Sequence, residues 1–394
     1  MKKISVSLLC GCLITKGLFG QSSDLERILQ EVELNNKELI AFSKYIEGKK
    51  LELASTNNLP DPQVAAFYLP FGNHANGDYS EFQISQSFEF PGIYGARSKW
   101  IESRQELLQQ EFEARRKDIL LEAKQYGLEL IFLSKLKNIE SGRLELSRRV
   151  FDQTTELFEG KQISVLVLNK AKIVWLQQQF LIKHLEARQQ DVLLLLENLN
   201  GRVKIDWTQT TYSDDLSIPL FEKLWQSALV QDPELVKLKY QQSSAQQALR
   251  ISKNQSLPDL ALGYNYQGVR SDNFSGLYAG ISIPLWSNRS KVKAAKSNLD
   301  YQSVFQQSYL SEKKTDVELQ LDEYRLLFLK YNEYASTIPE LASEQKLMEA
   351  YELGELSFME YYSEINFYQE AIDAMLEMEY ELHKLKSNLL KHQL

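Results

Sequence analysis

The chain has 394 residues, a formal net charge of −8 and a pI near 5.4, so it lacks the clustered excess of Lys and Arg that a nucleic-acid partner needs. Mean hydropathy is −0.36, and no apolar run of about 18–20 residues follows the N-terminus, which excludes ordinary transmembrane helices. Four histidines and only five methionines leave little metal-binding material.

Residues 1–20 read as a targeting segment. Lys2-Lys3 form the positive end, Ile4 to Ile14 a mostly apolar core, and cleavage is expected after Gly20. The rival is a lipoprotein signal, in which Leu9-Cys10-Gly11-Cys12 carries an acylated Cys12. The short apolar core before Cys12, continued by Leu13-Ile14, counts against it. Both cysteines lie in this segment, so the chain beyond Gly20 has no disulfide and no thiol chemistry.

The first helical stretch carries Glu38-Leu39 and ends at Leu59-Pro60-Asp61. A weakly alternating strand, Gln63 to Leu69, comes next. In the strand that follows, Phe82, Ile84, Phe88 and Phe90 share a face, with Gln86 as the exception, and Gln83, Ser85, Ser87 and Glu89 share the other. From Ser98 to about Glu156 there is no proline, and straight-chain residues dominate. Ile119, Ala123, Tyr126, Leu130 and Leu133 recur at helical spacing. A helix of about 60 residues is roughly 90 Å long, and one so polar needs lateral partners along its length. Gly160 then interrupts the pattern.

The second half repeats this order. Glu234-Leu235 precede Leu257-Pro258-Asp259. Leu260, Leu262, Tyr264 and Tyr266 alternate with Ala261, Gly263, Asn265 and Gln267. Leu277, Ala279, Ile281, Ile283 and Leu285 alternate with Tyr278, Gly280 and Ser282. A helix from Ser290 to about Tyr351, broken only by Pro339, leads to Gly354. A repeat of nearly half the chain is too large for a solenoid, whose units run about 20–50 residues. The expected organisation is therefore one fold of two like halves, 21–208 and 209–394.

An apolar outer face with a small or polar inner face is the pattern of a membrane β-barrel strand. Phe82, Ile84, Phe88, Leu262, Tyr264, Ile281 and Ile283 are the membrane-facing candidates. Four strands cannot close, because membrane barrels need about eight and an open edge in lipid leaves backbone groups unsatisfied. The chain must then oligomerise, and three copies would supply twelve strands.

The duplicated order of helix, hairpin, long helix, glycine turn and helix resembles the TolC-like outer-membrane efflux family over essentially the whole chain beyond residue 20. "YELGELSFMEYY" is similar to that family's helix-tip pattern, and "ISQSFEFPGIYGARSK" to the strand-to-helix junction of members serving heavy-metal pumps. The resemblance implies a mainly α fold with a small membrane β-barrel. It implies a homotrimer with an α-helical tunnel and a 12-stranded barrel, four strands from each chain, in the outer membrane and extending into the periplasm. It also implies outer-membrane lipid around the barrel, and a periplasmic adaptor and an inner-membrane RND-type pump docked at the helical tip. Gly354 matches the family's turn glycine, Tyr351 the aromatic before it, and Glu360 an acidic residue that narrows the tunnel entrance. Ser363 and Leu356 depart from the pattern, which puts a doubled carboxylate ring in doubt, and no carboxylate matches at Leu166-Val167.

Gly160 and Gly354 are expected to supply left-handed turn geometry. Glu360 is either part of a three-fold acidic gate or a solvated helix residue, and the nearby tyrosines more often pack than gate. Aromatics in "FPGIYG" and "PLWSN" sit either at the membrane interface or in the joint between barrel and tunnel. His74 falls in a loop the fold would expose outside. His184, His383 and His392 read as solvated helix residues. No Ser/His/Asp order, phosphate loop or clustered acidic pair stands out, so no catalysis, cofactor or bound metal is expected. The conduit reading has two rivals, a periplasmic adaptor and a coiled-coil scaffold without a pore. For cargo, the junction pattern and Glu360 favour metal cations over drugs.

Overall fold

The computed structural model of the chain describes residues 24–69, 71, 77–269, 272–341 and 343–394. The targeting segment, Cys12 and His74 lie outside these residues.

Two short helices open the fold, α1 (Asp24–Asn35) and α2 (Lys37–Ser55). α1 buries Leu25, Ile28 and Val32 along one face. Asn36 separates the two helices: its side chain accepts from the Leu39 N–H at 3.0 Å and donates to the Leu199 carbonyl at 2.9 Å. Strands β1 (Gln63–Leu69) and β2 (Tyr79–Phe88) follow, then α3 (Gly92–Glu159) and α4 (Val165–Leu199). α3 has 68 residues and is about 100 Å long.

The second half runs α5 (Phe221–Gln231), α6 (Pro233–Asn254), β3 (Asp259–Val269), β4 (Asp272–Ser282), α7 (Lys291–Leu341), α8 (Ser343–Glu352) and α9 (Phe358–Leu389). Asp232 caps α6 through the Glu234 N–H at 2.9 Å, with Pro233 in the first turn where its missing donor costs nothing. A short 3₁₀ turn, Lys391–Gln393, ends the chain against α3 and α5, with Lys117 Nζ donating to the His392 and Gln231 carbonyls. The order of elements in the first half recurs in the second.

The four strands form one antiparallel sheet in the order β1-β2-β3-β4, so the pairing of β2 with β3 joins the halves. The long helices pack side by side. Ile28, Val32 and Leu39 meet Ile119, Ala123, Leu130, Leu133, Val192 and Leu196 in the first half's core. Leu224, Tyr324, Leu382 and Leu389 form a smaller counterpart in the second. Gly127 allows the tight approach of α1, since a Cβ there would lie 2.4 Å from Leu25 Cδ1.

Several expectations are corrected. α3 starts at Gly92, ahead of Ser98, and continues to Glu159. The second long helix runs through Pro339 and stops at Leu341, where α8 begins a new segment at Ser343; proline removes one hydrogen bond and crowds the preceding turn. β4 starts at Asp272 and ends at Ser282, before Pro284, which has no N–H for the ladder. Ile283 therefore lies just past the strand. His184 is exposed as expected, but His383 and His392 are buried. His383 stacks on Tyr212 with ring centroids 3.9 Å apart, and burial pushes its imidazole down to about 4.

Candidate functional site

The tips of the two helical hairpins meet. Val150 and Ala171 of the first pack with Met348, Tyr351, Phe358, Tyr361 and Ile365 of the second. The α3–α4 turn is closed by a bond from the Gln162 N–H to the Leu157 carbonyl, and the α8–α9 turn by the matching bond from Glu355 to Ala350, both 2.9 Å. Each six-residue closure needs one left-handed residue. In the second turn it is Gly354, with φ +77°; in the first it is Lys161, with φ +57°. Gly160 immediately follows α3 with φ −72°, an ordinary right-handed value. The expectation of left-handed geometry at Gly160 is thus off by one residue, and Lys161 is the structural counterpart of Gly354.

Tyr351 is buried inside the tip. Its hydroxyl lies 3.1 Å from Thr154 Oγ1 on α3, and its ring stacks on Tyr361 at 5.0 Å. Burial pushes the Tyr361 phenol up to about 12. Glu360 is exposed and occupies the third position of a capping box. Its carboxylate accepts from the Ser357 N–H at 2.9 Å, and its own N–H donates to Ser357 Oγ at 3.4 Å. The Ser357 hydrogen bonds hold its carboxyl below the usual range. The pattern Ser357-Phe-Met-Glu360 carried that signal in the sequence.

Above the tip lies a buried charged node that sequence reading missed. Arg143, 5% exposed, donates to Glu140 on its own helix, to Asp373 at 2.8 Å and to the Gln369 carbonyl at 3.2 Å on α9. Glu140, 3% exposed, also accepts from Gln178 on α4. Glu344 of α8 stands 3.9 Å from Arg143 Nε, and burial raises its carboxyl above the usual range. Glu140 and Arg143 sit three residues apart on an otherwise core-facing stretch, which is the only local hint.

The sheet is the second region. Cross-strand partners share a face, and the register runs Val64–Ile84–Tyr264–Leu277 across all four strands. Ala66–Phe82–Tyr266–Ser275 is the next row, and Phe88–Leu260–Ile281 lies at the helical end. Phe82, Ile84, Leu262, Tyr264 and Ile281 are exposed on this face, while Phe88 is half-buried at the end of β2. The opposite face carries Gln83, Ser85, Gly263, Asn265, Gly276 and Gly280. At the junctions, Ile93 is buried and Arg97 pairs with both oxygens of Glu89 at 2.7 and 2.9 Å, which makes the first a packed joint. Trp286 in the second is exposed.

Among the described residues no helix is long and apolar enough to cross a membrane, and no three His, Cys, Asp or Glu are grouped to hold a metal ion.

No protein-family model and no curated protein matches the chain. Solved structures do. CusC, studied for folding and transmembrane channel formation, matches with TM-score 0.79 and 14% identity over 95% of both chains. The CmeC outer membrane channel of Campylobacter jejuni matches with TM-score 0.75 and 15% identity, over 94% of this chain and 85% of its own. The MtrE outer membrane channel of Neisseria gonorrhoeae, in its open state, matches with TM-score 0.69 and 13% identity over 94% and 88%. From its first helix to its last, the chain has the TolC-like fold of these outer-membrane channels.

Proposed function

We propose that the chain is the outer-membrane channel of a tripartite efflux pump, a passive and non-enzymatic conduit built from three copies. The observation that carries this is the four-stranded sheet, apolar on one face and mostly small or polar on the other, where Phe67, Leu69, Val269 and Phe274 are exceptions toward the far end, with β1 and β4 unpaired at its edges. Strands of 7 to 11 residues approach the 9–11 that cross a bilayer when tilted. Lipid tolerates no open edge, so joining β4 of one copy to β1 of the next is the economical closure, and it yields twelve strands. Exposed apolar residues on α4 (Ile173, Leu176, Phe180) and α7 (Leu319, Leu326, Leu329) support lateral packing of copies along the tunnel.

In this reading the barrel lies in the outer membrane with the helices in the periplasm. The paired tips meet a periplasmic adaptor, and an inner-membrane pump of the RND type supplies the energy. Glu360 narrows the entrance with a fixed, ionised carboxylate, while Tyr351 holds the two hairpins of one chain together. Cargo is a metal cation or a small toxic compound, with metal cations favoured.

Elemental analysis of a deletion strain under sublethal copper, silver, zinc, cobalt, cadmium and nickel tests this, with a dye and a bile salt in parallel. Accumulation of one or two metals, reversed by the gene, is the expected result. Retention of dye or bile salt alone retires the metal preference, and no accumulation of any compound retires the efflux role.

A further inference from the structure

We propose that the row Phe67–Glu81–Gln267–Phe274 is a cation-selecting constriction inside the barrel, one that favours positively charged cargo at its outer mouth. This rests on the barrel reading above. The register places all four residues side by side on the polar face. That face turns to the lumen because the other carries the continuous apolar rows, and a carboxylate facing lipid would be costly.

Glu81 is held rather than free. One oxygen accepts from the Tyr79 hydroxyl at 2.6 Å, and the other from Asn265 Nδ2 at 3.0 Å and Gln267 Nε2 at 3.4 Å. All three donors lie on the same face, so the charge is fixed at one height in the pore.

Among the described residues, no cation on the sheet cancels it. The four strands contain no Lys, Arg or His, and the other charged residues on the inner face are carboxylates, Asp259 at the helical end and Asp272 one row outward. Phe67 on β1 and Phe274 on β4 stand on the two free edges of the sheet. Where β4 of one copy meets β1 of the next, they bring bulk and low polarity beside each carboxylate. Low-dielectric walls of one charge sign focus the field and concentrate counter-ions, and ring faces add attraction for organic cations.

The test is thiol labelling of intact cells from outside, which is insensitive to whether the helical tip is shut. Gln83 lies one inner row deeper than Glu81, and Ile84 points to the opposite face. Single Gln83→Cys and Ile84→Cys variants are treated with membrane-impermeant thiol reagents of positive and of negative charge, and read against the unsubstituted parent. The expected result is that Gln83→Cys reacts and Ile84→Cys does not. The cationic-to-anionic rate ratio at Gln83→Cys should fall about tenfold, the low end of such focusing, when Glu81→Gln is added. Glu81→Lys should drop it further. A ratio unchanged by both Glu81 substitutions overturns the selectivity inference while leaving the barrel intact. Equal reactivity at positions 83 and 84, or none at 83, sinks the barrel reading and this inference with it.

Discussion

Lys161 and Gly354 hold the same left-handed place in two similar turns, but only one is a glycine. An L-residue there costs about 1–2 kcal/mol, so Gly354→Ala should destabilise by that amount; no neighbour lies within 4 Å to add a clash. Gly160→Ala, at a right-handed φ, should be neutral or slightly stabilising. Thermal unfolding of the two variants side by side checks the contrast, and equal losses would mean the turns are assigned wrongly. Glu360→Gln is a clean charge test because glutamine also serves in a capping box. Metal tolerance and cation preference should fall with the helix start intact; if neither moves, the gate role is dropped. His383 gives a pH signature. Its folded value of about 4 lies below the ordinary 6.5, so the contribution is fully present above pH 6.5 and is lost as pH falls through 4. The loss is at most about 3 kcal/mol, and His383→Phe should flatten that part of a stability–pH curve.

At the scale of elements, the Arg143 node ties α3, α4, α8 and α9 together just above the tips. Arg143→Ala leaves Glu140 buried without its cation and should cost about 3–5 kcal/mol. Arg143→Met combined with Glu140→Leu should recover most of it, and calorimetry of the two variants decides the matter. Equal losses in single and double variants would mean the helices are held by packing alone. The helices themselves were legible because straight-chain residues and helical spacing run on for dozens of positions. Their ends were less so: Pro339 was tolerated inside α7, which ends at Leu341, and α8 starts at Ser343. β1 alternates weakly, yet it pairs with β2 from Gln63↔Ser85 to Leu69↔Tyr79, since an edge strand takes its register from its neighbour's ladder.

At the scale of the whole molecule, the recurring order of elements shapes both ends of the fold. Each half contributes a strand pair at one end and a helical hairpin tip at the other, and the halves join through β2–β3 and through the tip core. Ile84→Arg, on the apolar face, should disfavour membrane assembly by about 2–4 kcal/mol if that position sits near mid-bilayer, whereas Gln83→Arg should be tolerated. Heat-resistant oligomer in detergent is the readout, and equal behaviour of the two variants would argue against a lipid-facing sheet. Of the expected site residues, Gly354, Tyr351 and Glu360 do gather at one tip, but Tyr351 is packed inward and Glu360 is engaged in a cap. Neither state is visible from spacing alone.

The sequence by itself determined the long helices and the two faces of the sheet, because each rests on a local period of two or about 3.6 residues repeated many times. The tertiary structure decided what no local period encodes. It alone chose Lys161 over Gly160 as the left-handed residue, buried His383 and His392, gathered Arg143, Glu140, Asp373 and Glu344, and set Glu81 level with Phe67 and Phe274. Each of these depends on which distant segment lies alongside, and that is settled by packing and strand register across the whole chain.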